Sequence, residues 1–256
     1  MTDTTHAARL QLVVPCYNEA GRLSPAPFLA FVREHRDAAL LFVDDGSTDG
    51  TPRVLAEIEA AGEGRVSRMA LRRNSGKAVA VREGMLAAFD RGAALAGYWD
   101  SDLATPLSAV PRFLEVLDRH PGVDIVIGSR VKLMGRQIAR SPLRHYVGRV
   151  FATAASLALG LAVYDTQCGA KIFRACEPVR RVFAAPFRSA WVFDVEILAR
   201  YADAVGRSRA EAGVYELPLA RWVDVPGSKV KPWHGVRAAW DLLRLASRPG
   251  RRGAAE

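Results

Sequence analysis

Residues 39–61 read ALLFVDDGSTDGTPRVLAEIEAA, and this stretch decides the fold. The apolar run Ala39–Val43 is strand-length and stops at four turn-forming residues, Asp44-Asp45-Gly46-Ser47. Thr51 to Ala61 then takes a helical period. Thr48 or Asp49 can cap it, Pro52 suits its first turn, and Val54, Leu55 and Ile58 share a face. A buried strand, a polar turn and a covering helix form the repeating unit of an α/β sheet.

The unit recurs on both sides. Upstream, Leu10–Pro15 is an apolar run ending in a loop that carries Tyr17 and Glu19. Downstream, Val66–Leu71 reads as a strand, and Lys77–Arg91 as a helix with Val81, Met85, Ala88 and Phe89 at helical spacing. Leu95–Trp99 is a further strand, closed by Asp100-Ser101-Asp102. Thr105-Pro106 opens a helix running through Asp118, and Asp124–Gly128 is a fifth strand. The alternation predicts an α/β, Rossmann-like single domain with a mostly parallel central sheet, whose ligands bind beyond the carboxyl ends of the strands. Residues 131–142 lack a period and read as a mobile basic loop. Arg144–Leu161 and Val192–Ala202 read as helices, Val214–Leu217 as a strand and Gly235–Leu245 as an amphipathic helix. The expected organisation is one domain over 1–230, then an amphipathic basic helix and tail over 231–256.

The chain has 256 residues, half of them hydrophobic and a quarter charged, which excludes wholesale disorder. No apolar run reaches the roughly 18 residues that span a bilayer. The start, Met1 to Arg9, lacks the apolar core of a signal peptide. Three cysteines, Cys16, Cys168 and Cys176, form no CxxC pair, so a reduced, cytoplasmic setting is expected. The net charge of +9 is unevenly placed. Gly128–Tyr164 holds six basic and no acidic residues, and Gly227–Glu256 holds seven basic and two acidic, while the remainder is slightly acidic. Nucleic acid, a membrane surface or a phosphorylated ligand each fit such blocks.

The polar turns carry the chemistry. Asp100 and Asp102, two residues apart after a strand, can face one hard cation and leave positions for phosphate oxygens; a solvated turn is the plainer alternative. Asp44 and Asp45 can accept from a nucleobase or ribose hydroxyls, or cap the following helix. Tyr17 offers a stacking face and Glu19 an acceptor, or Tyr17 packs at the rim. Asn74-Ser75-Gly76-Lys77-Ala78 lacks the spaced glycine and the Ser/Thr of a P-loop, and no GxGxxG, HExxH or GxSxG is present. Those absences argue against P-loop, dinucleotide-dependent, zincin and serine-hydrolase chemistry.

LVVPCYNE, FVDDGSTDGT, NSGKAVAVREGM, WDSD, GSR, DTQCGAKIF, WVFDVEIL and PGSKV occur in order from Leu10 to Val230. Together they resemble the family 2, GT-A-fold glycosyltransferases that charge polyprenyl phosphates with sugar, most of all the dolichyl-phosphate β-glucosyltransferases and next the mannosyltransferases. The resemblance implies a nucleobase-binding loop at Pro15, Tyr17 and Glu19, and base and ribose contacts at Asp44 and Asp45. It implies a donor-diphosphate site at Lys77, Asp100, Ser101 and Asp102, with Asp102 and Asp100 as ligands of Mg²⁺ or Mn²⁺. Arg130 would contact the donor phosphates. Arg144, Gln167 and Lys229 would reach the acceptor phosphate, and Asp165, Gln167 and Cys168 would line the junction of donor and acceptor. Catalysis is assigned to Asp102, Arg130 and Asp165, the last as a positioning group or modest base. Two departures stand out: Ala78 replaces the last glycine of the usual Gly-Lys-Gly, and Val223 replaces an arginine of the mannosyl relatives.

A polyprenyl phosphate is already ionised, so its oxygen can attack the anomeric carbon in line with little help from a base. The harder tasks are neutralising the leaving diphosphate and holding two anions together. The resemblance implies an inverting hexosyltransferase with UDP-glucose as the favoured donor; a GDP-mannose donor or a soluble acceptor are the alternatives. The basic blocks then predict peripheral contact with an anionic membrane, at its inner face and without a transmembrane span. No nucleic-acid-binding module is recognised, so no nucleic-acid partner is expected.

Overall fold

The computed structural model describes residues 8–139, 142–225 and 240–242. Among them the strands are β1 (Leu10–Cys16), β2 (Ala38–Asp44), β3 (Val66–Ala70), β4 (Leu95–Trp99), β5 (Ile125–Ser129), β6 (Gln137–Ala139), β7 (Ala170–Arg174), β8 (Val214–Pro218) and β9 (Arg221–Val223). The helices are α1 (Pro25–Glu34), α2 (Thr51–Ala61), α3 (Lys77–Asp90), α4 (Val110–Arg119), α5 (Pro142–Leu159), α6 (Glu177–Ala184), α7 (Phe193–Val205) and α8 (Arg207–Gly213). Seven strands form one sheet in the order β3-β2-β1-β4-β7-β5-β8, parallel throughout except for β7. β6 and β9 pair separately, in parallel.

The inner strands are apolar along their length because both faces are covered. Alternate residues go to opposite sides. Val13, Leu41, Val43 and Tyr98 meet α3 and α7 through Val81, Met85 and Leu198. Leu12, Leu40, Phe42 and Trp99 meet α1, α2 and α4 through Phe28, Leu55 and Phe113. α3 lies close on β1 because Gly84 has no side chain: a Cβ there would fall 2.3 Å from Cγ1 of Val13.

The parallel half matches the sequence expectation closely. Where the expectation differs, the causes are local. Thr105–Asp118 is not one helix: a 3₁₀ turn over Leu107–Ala109 precedes α4, which begins beside Pro111. Residues 131–142 are not wholly loop, since Gln137–Ala139 forms β6 against Arg221–Val223. Three residues paired across so long a separation leave no period to detect. α5 starts at Pro142, which suits a first turn, and ends before Gly160, which takes φ +63°. At α2 the cap residue is Gly50, while Asp49 Oδ1 accepts from the Thr51 backbone N–H at 2.9 Å.

Candidate active site

Parallel strands deliver their carboxyl ends to one edge of the sheet. β1 ends before Tyr17 and Glu19, β2 at Asp44, β4 before Asp100, and β5 before Arg130. β7 runs the other way, so its first residue meets the same edge, and the loop before it brings Asp165 and Gln167 there.

The first two loops are tied to each other. The Asn18 N–H donates to Ser47 Oγ at 2.9 Å, and the Thr48 N–H to Asn18 Oδ1 at 2.8 Å. Asn18 itself takes φ +48°, a left-handed conformation that asparagine tolerates. Asp44 Oδ1 accepts from the Ser47 N–H at 3.0 Å. Asp45 is buried and accepts from the N–H groups of Ser75 and Gly76 at 2.7 and 2.8 Å, so it fastens the loop before α3 to the end of β2. Burial outweighs those two bonds and raises the Asp45 proton affinity. Pro15 and Tyr17 are half-buried beside this pair of loops.

Glu19 is also buried, and both of its oxygens hold Arg22: one pairs with Nε, and Oε1 accepts from Nη2 at 2.6 Å. Arg22 is a site residue that the motif reading passed over, although its spacing three residues after Glu19 is that of a local ion pair. The Glu19 hydrogen bond, with the charges of Asp102 and Asp100 beyond it, strengthens its hold on its proton.

Asp100 and Asp102 occupy a tight turn. The Leu103 N–H donates to the Asp100 carbonyl at 3.2 Å and the Ala104 N–H to Asp102 Oδ1 at 3.0 Å. Leu103 is held at φ +51°, a left-handed backbone that a leucine adopts only under constraint, so strain is concentrated at this turn. Lys77 Nζ, from the first residue of α3, lies 2.5 Å from Asp100 Oδ1. The crowded mouth of the site would lower the proton affinity of the partly exposed Lys77 side chain, but Asp100, with Asp194 behind it, raises it overall. At Asp102, burial and the Asp100 charge both raise proton affinity. Ser101 between them is buried. Among the described residues no three His, Cys, Asp or Glu side chains cluster as a metal cage. Two hard carboxylates on one turn still suit an ion that keeps most of its ligands for phosphate and water.

Across the edge, Arg130 and Asp165 form a closed clasp. Nε and Nη2 of Arg130 donate to Oδ2 and Oδ1 of Asp165, each at 2.7 Å, and the Arg130 N–H adds a third bond at 3.0 Å. Burial opposes ionisation of Asp165, yet Arg130 holds its carboxyl below the ordinary aspartate range. Such a carboxylate is a poor proton acceptor, and its geometry is that of a group orienting an arginine. Glu216 on β8 holds this loop from below, accepting from the N–H groups of Tyr164 and Asp165 at 2.7 Å each. Thr166 Oγ1 and Gln167 Nε2 are buried and lack a hydrogen-bond partner among the described residues. Cys168 is fully buried, which pushes its thiol up to about 11 and leaves it unreactive at neutral pH.

Of the residues expected at the acceptor, Arg144 is described only as part of the α5 backbone, and Lys229 lies outside the described residues. So does the expected tail helix, save for residues 240–242.

The family model for glycosyl transferase family 2 matches residues 11–175, more than half of the chain, and the match stops one residue past β7. A dolichyl-phosphate beta-glucosyltransferase of Dictyostelium discoideum is 30% identical over 253 residues, which are 93% of this chain and 74% of that protein. One from Drosophila melanogaster is 32% identical over 259 residues, 95% of this chain and 76% of that protein. A crystal structure of glucosyl-3-phosphoglycerate synthase from Mycobacterium tuberculosis, in complex with Mn²⁺, UDP and glucosyl-3-phosphoglycerate, shares the fold. It aligns with a TM-score of 0.64 at 20% identity, over 94% of this chain and 81% of that one. The motif series, the sheet order with its single reversed strand and these likenesses agree: this GT-A-fold chain belongs to glycosyl transferase family 2.

Proposed function

We infer that the protein is an inverting hexosyltransferase that moves glucose from UDP-glucose to a polyprenyl phosphate of the dolichyl type. The observation that carries this reading is the gathering, at one sheet edge, of an acidic turn and two held cations. Lys77 sits on Asp100, and Arg130 is locked by Asp165. Identities of 30–32% with dolichyl-phosphate beta-glucosyltransferases over more than nine-tenths of the chain support the same donor and acceptor.

Asp102 and Asp100 would hold Mg²⁺ or Mn²⁺. The raised proton affinity of Asp102 fits, because carboxylates that crowd one another gain from a shared cation. The bound ion would supply charge neutralisation on the departing diphosphate. The remaining work falls to the chain. Tyr17, Asp44 and Asp45 border the space for the nucleoside, and Arg130 is held rigid to meet phosphate oxygens with the N–H groups that Asp165 leaves over. Gln167 Nε2 is a buried donor that an acceptor phosphate oxygen would satisfy. Arg144 and Lys229 are assigned to that phosphate by the resemblance. An ionised phosphate needs no strong base, which agrees with the low proton affinity of Asp165.

The surface of α5 supports peripheral membrane contact. Tyr146, Val150 and Leu157, spaced along one face, are 70, 73 and 79% exposed. Leu133 and Met134 form an exposed apolar tip flanked by Lys132 and Arg136. Apolar side chains with basic neighbours suit an anionic bilayer interface. No helix among the described residues is long and apolar enough to cross a membrane.

The test is transfer from radiolabelled UDP-glucose to dolichyl phosphate in the presence of Mn²⁺, with GDP-mannose in parallel. Label extracted into organic solvent from UDP-glucose alone supports the reading. Label from GDP-mannose alone replaces the sugar, and label confined to water with a phosphorylated soluble acceptor replaces the acceptor.

A further inference from the structure

Below the Asp100–Asp102 turn, two cross-strand partners reach for one carboxylate. Tyr98 on β4 and Lys171 on β7 lie opposite each other in the antiparallel ladder, and both are fully buried. The Tyr98 hydroxyl and Lys171 Nζ both donate to Oδ1 of Asp194, the lysine at 2.5 Å. Asp194 stands in the first turn of α7, where the helix dipole favours a negative charge. A second Lys171 bond, at 2.6 Å, goes to the carbonyl of Cys168.

A charged lysine with no solvent exposure is a costly way to fill a strand. Its placement gives it a task. Tyr98 is two residues before Asp100, and Lys171 is two residues after Gly169. The rung between them and the turn is the Asp100 N–H donating to the Gly169 carbonyl at 3.0 Å. Gly169 has no Cβ because the Asp100 carboxylate lies directly against it. The loop that Lys171 grips at Cys168 is the one whose Asp165 clasps Arg130. Both halves of the donor-phosphate site therefore hang from the same buried pair.

We propose that Lys171 and Asp194 are positioning residues that set the spacing between the Asp100–Asp102 turn and the Arg130–Asp165 clasp. The inference rests on reading those groups as the donor-diphosphate site. Outer groups that orient a metal's carboxylate ligands are typically worth about 10- to 100-fold in metal affinity, so a shift of that order is expected here.

The experiment is calorimetric titration of the full chain with UDP in the presence of Mn²⁺, which needs neither acceptor nor sugar. Lys171→Met with Asp194→Asn removes both charges and keeps an acceptor for Tyr98, so the core stays neutral. Lys171→Arg keeps the charge but cannot place both bonds in the same space. Circular dichroism and thermal melting identify which variants fold. Any folded variant is expected to bind Mn²⁺–UDP roughly tenfold or more weakly than wild type, with KM for UDP-glucose rising alongside. A purely structural pair predicts wild-type affinity in every variant that folds, and that result would overturn the inference alone. Failure of the wild type to bind Mn²⁺–UDP would sink the donor-site reading, and the inference with it.

Discussion

The carboxylate of Asp100 rests on the α-carbon of Gly169, so closely that a Cβ there would fall 1.9 Å from Oδ2 and 2.2 Å from Cγ. Relief requires moving Asp100, since the Asp100 N–H is bonded to the Gly169 carbonyl. Gly169→Ala should leave the sheet folded, at a cost of about 1–3 kcal/mol, and should displace Asp100. The expected result is loss of Mn²⁺-dependent UDP binding by calorimetry, with a melting temperature lowered by only several degrees. Unaltered binding would show that Asp100 does not face the donor.

Asp102 is destabilised as an anion by burial and by Asp100. Replacing it by Asn should therefore stabilise the metal-free protein while abolishing its response to metal. In EDTA at pH 7, Asp102→Asn is expected to melt above wild type; with excess Mn²⁺ and UDP the order should reverse. Thermal scans in the two buffers check both halves.

The Arg130–Asp165 clasp is nearly dry, with side chains 14 and 10% exposed. Asp165→Asn should cost on the order of 3 kcal/mol by leaving Arg130 without its counter-charge. Asp165 has its proton affinity lowered by folding, so its contribution is complete above the unfolded aspartate value near 4 and disappears as pH falls through the lower folded value. Urea unfolding should show a constant gap between wild type and variant from about pH 5 to 8, closing below about pH 4. A gap that widened on acidification would contradict the clasp.

On α5, Val150→Glu with Leu157→Glu should sharply reduce cosedimentation with vesicles containing anionic lipid, because two exposed apolar contacts become charges that the surface repels. Melting temperature and transfer to a detergent-solubilised acceptor should be unchanged. Equal vesicle binding by the double variant would place the membrane contact elsewhere.

The parallel half of the fold was legible because strand, polar turn and helix alternate cleanly there; β4 and α2 fall on their expected residues. α1 was hidden by Pro25 and Pro27, which resemble a loop in sequence but sit in a first turn that needs no N–H donors. β7 was hidden by its own chemistry: five residues, Ala170–Arg174, with a charge at Lys171 in their midst, whose counter-charge lies on a distant helix. Aspartates at the ends of β2 and β4 marked the candidate site in the sequence. The distant partners left no such mark, because the hold of Glu216 on the 164–165 backbone exists only once the loops are folded.

The reversed strand also bears on the order in which the protein can be made. β4 and β5 never touch in the finished sheet, since β7 lies between them. A ribosome releases both flanking strands well before the one that joins them. Until residue 174 has emerged, the sheet β3-β2-β1-β4 presents an open edge of unpaired backbone groups, and β5, which carries Arg130 at its end, has neither of its partners. Insertion of β7 closes the β4 edge and joins β5 to the sheet, and β8 then covers the other edge of β5. Competence to bind a donor should therefore arrive late in synthesis, after β7 has joined β4 to β5 and Asp194 and Glu216 have emerged to hold that junction.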